Sequence, residues 1–153
     1  MADVTVTRGA LLLDSGGVSA IADGNPVARA VLVRARAEGR QVAIPAAVLA
    51  EVVTDRPDHA RLDRVIRSVD EELPLTPERA RQAGILRGRA SRAREASPGR
   101  RRGDRPPSAV DAIVMAEAVA AGAAIMLTSD PDDLALLREA AGLSRDQVGI
   151  IGV

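Results

Sequence analysis

The stretch "SAVDAIVMAEAVAAGAAIMLTSDPDDL", residues 108–134, decides how the chain is read. Ser108 is a good N-cap, and an apolar helix follows it as far as Gly122, which can take the backbone conformation that ends a helix. "AIMLT" (124–128) is then a short apolar strand. Asp130 and Pro131 open the next helix, since an Asp cap followed by proline at the first helical position is a strong start signal. A buried helix, a strand and a second helix in succession form the unit of a parallel α/β fold.

The same alternation runs outward from this stretch. "ALLLD" (10–14) is an apolar run ending in an acid. In "GNPVARAVLVRARAEG", Asn25 caps, Pro26 starts and Gly39 stops a helix. "QVAIP" (41–45) is a second strand, and a helix begins directly after it. Leu62, Val65, Ile66 and Val69 fall at helical spacing in another helix. "ELPLT" (72–76) is a third strand, placed near an edge by Pro74. Pro77 begins an arginine-rich helix, residues 97–107 ("SPGRRRGDRPP") read as a basic loop, and "QVGIIGV" forms a fifth strand. Short apolar strands alternating with helices predict one domain over residues 1–153, with a parallel sheet covered by helices on both faces.

Composition removes many chemistries. The chain has 153 residues, no cysteine, no aromatic residue and one histidine, and its 21 basic residues are all arginine. Thiolate nucleophiles, Cys-ligated zinc, Schiff-base chemistry and a Ser–His pair are therefore excluded or implausible. Acid–base or metal chemistry must rest on carboxylates. The N-terminal run lacks a basic region and does not read as a signal peptide. The apolar stretch 112–127 is too short to span a bilayer, so the expected location is the cytoplasm.

Glu51 stands in "PAAVLAEVV" (45–53), a stretch otherwise apolar or proline. An unpaired buried charge is costly, so Glu51 is either turned to water or put to use. Connectivity suggests the latter. Asp14 ends the first strand, Glu51 lies in the helix after the second, Asp111 is in the first turn of the helix before the fourth, and Asp130 follows the fourth. All four fall on one edge of the sheet, where open α/β folds bind ligands. Clustered carboxylates are relieved by a hard cation, Mg²⁺ or Mn²⁺, which prefers oxygen ligands and keeps waters. Such a site suits hydrolysis of a phosphodiester. Each acid also has a plainer reading: Asp14 starts a turn, Asp111 and Asp130 serve as helix caps, and Glu51 is solvated. Thr128 and Ser129 stand beside the acids as groups that orient water or a ligand carboxylate, and Asp133 either joins the cluster or favours its helix N-terminus. Arg100, Arg101 and Arg102 are candidates for holding phosphate groups, against a plain solvated loop.

"LLLDSGGVSAIA", "PAAVLAEVV" and residues 108–134 resemble the successive motifs of the PIN domain, in particular the VapC-type ribonuclease toxins of bacterial toxin–antitoxin modules. Asp14, Glu51, Asp111 and Asp130 match its four acids in order, over almost the whole chain. The chain departs from the pattern at Ser108, where members often carry an acid, and at Leu134, where an aromatic is usual. The resemblance implies a three-layer α/β/α sandwich, PIN-like and Rossmann-like, with strand order 3-2-1-4-5. It implies a Mg²⁺- or Mn²⁺-dependent endoribonuclease acting on an RNA substrate. Asp14, Asp111 and Asp130 would hold the metal, and Glu51 would ligate it directly or through water. A cognate antitoxin and a homodimer are the implied partners, with no membrane. The rival expectation is a non-catalytic α/β binding or regulatory module whose acids survive as helix caps. A receiver domain is a weaker rival, because the lysine it needs is absent.

Overall fold

Apolar runs too short for helices form the sheet, and the longer capped segments form its cover. The computed structural model describes residues 9–55, 59–99 and 105–153. Its strands are β1 (Ala10–Leu13), β2 (Val42–Pro45), β3 (Glu71–Leu73), β4 (Ala124–Thr128) and β5 (Val148–Gly152). All pair in parallel, in the order β3-β2-β1-β4-β5. The helices are α1 (Ser15–Ala22), α2 (Pro26–Ala37), α3 (Ala46–Val52), α4 (Ala60–Ser68), α5 (Pro77–Ala96), α6 (Ala109–Ala121) and α7 (Pro131–Ala140). One group, α5, α6 and α7, packs together, while α1 packs against α2, α3 and α4. This is the expected α/β sandwich with strand order 3-2-1-4-5.

The central strands β1 and β2 are buried along their whole length, as a parallel sheet covered on both faces requires. Without aromatic side chains, the core is filled by Leu11, Leu13, Ile44, Met115, Met126, Leu134 and similar aliphatic residues. Few polar groups enter it. Arg138 is buried and donates to the Val148 carbonyl at 3.0 Å. Glu117, on α6, is buried beside Arg79 of α5, with 3.1 Å between Arg79 Nε and Glu117 Oε1. That burial pushes the Glu117 carboxyl above its ordinary value, although Arg79 draws it back down.

Local signals held where they were strong. Asn25 accepts hydrogen bonds from the Val27 and Ala28 N–H groups, and Gly39 and Gly122 take positive φ at their helix ends. Two expectations shift. β3 spans Glu71–Leu73, not 72–76. The Asp70 carboxylate accepts the Val42 N–H at 2.7 Å while the Asp70 N–H donates to the Val42 carbonyl at 2.8 Å, so pairing starts early. Pro74, lacking an N–H, then cannot extend it. β3 does lie at the sheet edge. The second shift is α1, a helix beginning directly after Asp14, where only the strand end was anticipated. Gly16 and Gly17 hide it from a propensity reading. They are needed because α1 starts hard against β4: a Cβ on Gly17 would stand 2.4 Å from the Leu127 carbonyl oxygen, and one on Gly16 would stand 2.6 Å from the Ser129 nitrogen.

Candidate active site

Asp14 is the buried centre of the acid edge, with 4% of its surface exposed. It caps α1, and its Oδ1 accepts the Gly17 N–H at 2.7 Å. The Thr128 hydroxyl, at the end of the neighbouring strand β4, also hydrogen-bonds its carboxylate. Thr128 in turn accepts the Asp130 N–H at 2.9 Å, so one hydroxyl links the ends of β1 and β4 at the point where strand order reverses.

Asp111 enters from α6. It forms a reciprocal capping box with Ser108: the Asp111 N–H donates to Ser108 Oγ at 3.0 Å, and the Ser108 N–H to Asp111 Oδ2 at 3.3 Å. Glu51 comes from α3, whose Val48 and Val52 are buried while Glu51 itself is exposed. Glu51 lines an open cleft of about 620 Å³ with Ser15, Ser19 and Ser129. The apolar neighbours of Glu51 thus anchor its helix, and the carboxylate faces water. Asp130 is exposed and caps α7, its Oδ1 accepting the Asp133 N–H at 3.4 Å.

The electrostatics reveal which acids share a space. Burial pushes the Asp14 carboxyl above the usual aspartate value. Hydrogen bonds from Thr128 and Gly17 oppose the shift, while repulsion by Asp111 and Glu51 adds to it. Asp111 is raised for the same first reason, opposed by Ser108 and reinforced by Asp133 and Glu51. Asp14, Glu51 and Asp111 therefore lie within one another's fields, and Asp133 joins them. Asp133 is also paired with Arg94 of α5 at 2.7 Å, a contact with no sequence signal because Arg94 is one of many arginines. Ser129 packs against Gly16 at the start of α1. Arg100, Arg101 and Arg102 lie outside the described residues.

Among the described residues, no three acidic or histidine side chains stand together as a ready-made metal cage. The donor set still fits one kind of ion. The facing groups are carboxylates, partly buried and mutually repelling. Mg²⁺ is commonly held by one or two carboxylates while keeping several of its waters. A hard, hydrated divalent cation suits this arrangement; a soft or fully dehydrated one does not. Among the described residues, no helix is long and apolar enough to cross a membrane.

No family model matches the chain, and no curated protein matches it. A solved structure does. One chain of the crystal structure of VapBC2 from Rickettsia felis bound to a DNA fragment from their promoter superposes with a TM-score of 0.62 at 15% identity. The match covers 93% of this chain and 98% of that one. At that identity the likeness concerns the fold alone.

Proposed function

We propose that the chain is a Mg²⁺- or Mn²⁺-dependent endoribonuclease, hydrolysing RNA phosphodiester bonds as the toxin of a toxin–antitoxin pair. The observation that carries this reading is that the Asp14 and Asp111 carboxyls, near the strand-order reversal, are both raised in part by the charge of Glu51. Their mutual repulsion is an electrostatic cost that a divalent ion would relieve. The toxin role, the cognate antitoxin partner, the homodimer and the cytoplasmic setting rest on the VapBC2 likeness and on the motif resemblance.

In this reading Asp14, Asp111 and Asp130 would hold the cation, and Glu51 would ligate it directly or through water. When bound, the cation supplies charge neutralisation and water activation for attack on phosphorus. The chain's own groups do the positioning. Gly17 and Thr128 fix one rotamer of Asp14, so its carboxylate is oriented before any ligand arrives. Ser108 does the same for Asp111. Glu51, exposed at the cleft, is the carboxylate free to hold a water by hydrogen bond and accept its proton. Arg100, Arg101 and Arg102 are assigned to the RNA backbone on charge alone.

Incubation of the purified protein with total RNA tests the proposal, with Mg²⁺, with Mn²⁺ and with EDTA. Cleavage with either metal and none with EDTA is the expected result. No cleavage under any condition would leave a binding module whose acids only cap helices.

A further inference from the structure

Two arginines seven residues apart on α5, Arg87 and Arg94, hold the chain that leads into the acid site. Arg87 Nε donates to the Pro107 carbonyl at 2.8 Å. Arg94 Nη1 donates to the Arg105 carbonyl. The segment they grip runs directly into Ser108 and the capping box that carries Asp111. The other terminal nitrogen of Arg94 donates to Asp133 Oδ1 at 2.7 Å, across 39 residues of sequence, in the first turn of α7. One guanidinium therefore ties α5 to the approach of α6 and to the start of α7.

This ion pair differs from the others in the fold. The Arg34–Glu38 and Arg40–Glu38 pairs join near neighbours in sequence at the surface, and Arg79–Glu117 joins α5 to α6 in the core. In the Arg94–Asp133 pair the two side chains are only 24% and 18% exposed, so the contact is sheltered from screening. Among the described residues no other ion pair involves Asp14, Glu51, Asp111, Asp130 or Asp133. Asp133 is also one of the charges that Asp111 feels. Removing its partner would leave one more uncompensated negative charge at the site.

We propose that Arg94 is the resident counter-ion of the acid site: it pairs with Asp133 at the start of α7 and so offsets one of the negative charges that act on Asp111. The proposal rests on the metal-dependent reading only for its second consequence. If Arg94 neutralises Asp133, its loss makes the cleft more negative, and a divalent cation binds more tightly. If Arg94 only fastens a loop, cation affinity does not rise.

The experiment uses Arg94→Gln, Asp133→Asn and the double variant, melted in EDTA and titrated with Mn²⁺ by calorimetry. Arg94→Gln should lower the melting temperature in EDTA by a few degrees. Adding Asp133→Asn should recover most of that loss, because the two act as one unit. Arg94→Gln alone should bind Mn²⁺ about threefold or more tightly than the parent, from the extra charge near a divalent ion. No recovery in the double variant, or unchanged or weaker Mn²⁺ binding by Arg94→Gln, would overturn the proposal. Absence of Mn²⁺ binding by the parent would strike down the metal reading, and the EDTA cycle would then decide for or against Arg94 by itself.

Discussion

Gly17→Ala is expected to destabilise the protein, although alanine is the better helix former. A Cβ at Gly17 would stand 2.4 Å from the Leu127 carbonyl oxygen and 3.1 Å from its carbon. Comfortable non-bonded contact begins near 3.5 Å, so the start of α1 must retreat from β4 by roughly 1 Å. Such a retreat strains the 2.7 Å hydrogen bond by which Gly17 holds Asp14. Overpacking typically costs about 1–3 kcal/mol, and a weakened N-cap adds up to about 1 kcal/mol. The gain in helix propensity returns about 1 kcal/mol. The net is a loss of up to about 3 kcal/mol, or a fall in melting temperature of up to roughly 10 °C for a chain of this size. Gly84→Ala is the control. Gly84 lies within α5, and nothing would meet its Cβ within 4 Å. There the same substitution should stabilise by about 0.5–1 kcal/mol. The chain has no aromatic residue, so unfolding is followed by far-ultraviolet circular dichroism rather than intrinsic fluorescence. Equal stabilisation by both substitutions would refute the close approach of α1 to β4, and with it the placement of Asp14.

Three other outcomes are expected. Glu51→Gln should abolish or severely reduce RNA cleavage while leaving stability in EDTA unchanged or slightly higher, because Glu51 is exposed and repels Asp14 and Asp111; full activity in the variant would remove Glu51 from the site. Millimolar Mn²⁺ should raise the melting temperature relative to EDTA, since a hundredfold excess over the dissociation constant contributes about 2.7 kcal/mol; identical midpoints would count against a cation site. In EDTA, stability should increase as pH falls through the raised carboxyl values toward the ordinary carboxylate range near 4. Asp14, Asp111 and Glu117 are all raised in the folded state, so the native protein binds more protons there than the unfolded chain. Their stabilising contribution is complete below the unfolded carboxylate values near 4 and is lost as pH rises through the folded values. Asp14→Asn should flatten that slope, and an unchanged slope would mean that Asp14 is not buried as described.

What the sequence determined by itself is what neighbouring residues decide. Asn25–Pro26, the Ser108–Asp111 box, Asp130–Pro131 and the positive-φ glycines Gly39 and Gly122 act through bonds spanning a few residues, so those helix ends were legible. Strand identity followed from short apolar runs, and their alternation with helices implied a parallel sheet. The acids Asp14, Glu51, Asp111 and Asp130 could be assigned to one edge because a crossover fixes the end of the sheet at which its helix begins. Tertiary structure alone decided the rest. α1 exists despite two glycines, because only glycine allows its first turn to lie against β4. β3 takes its register from Asp70 bonding to Val42, a partner 28 residues away. Among the acids that follow β4, it is Asp133 whose charge acts on Asp111, while Asp130 faces solvent as a cap. That distinction depends on how α7 packs against α5, and so does the choice of Arg94 among many similar arginines. A charge reaches its partner through space, and distances across the fold are not written in the order of the residues.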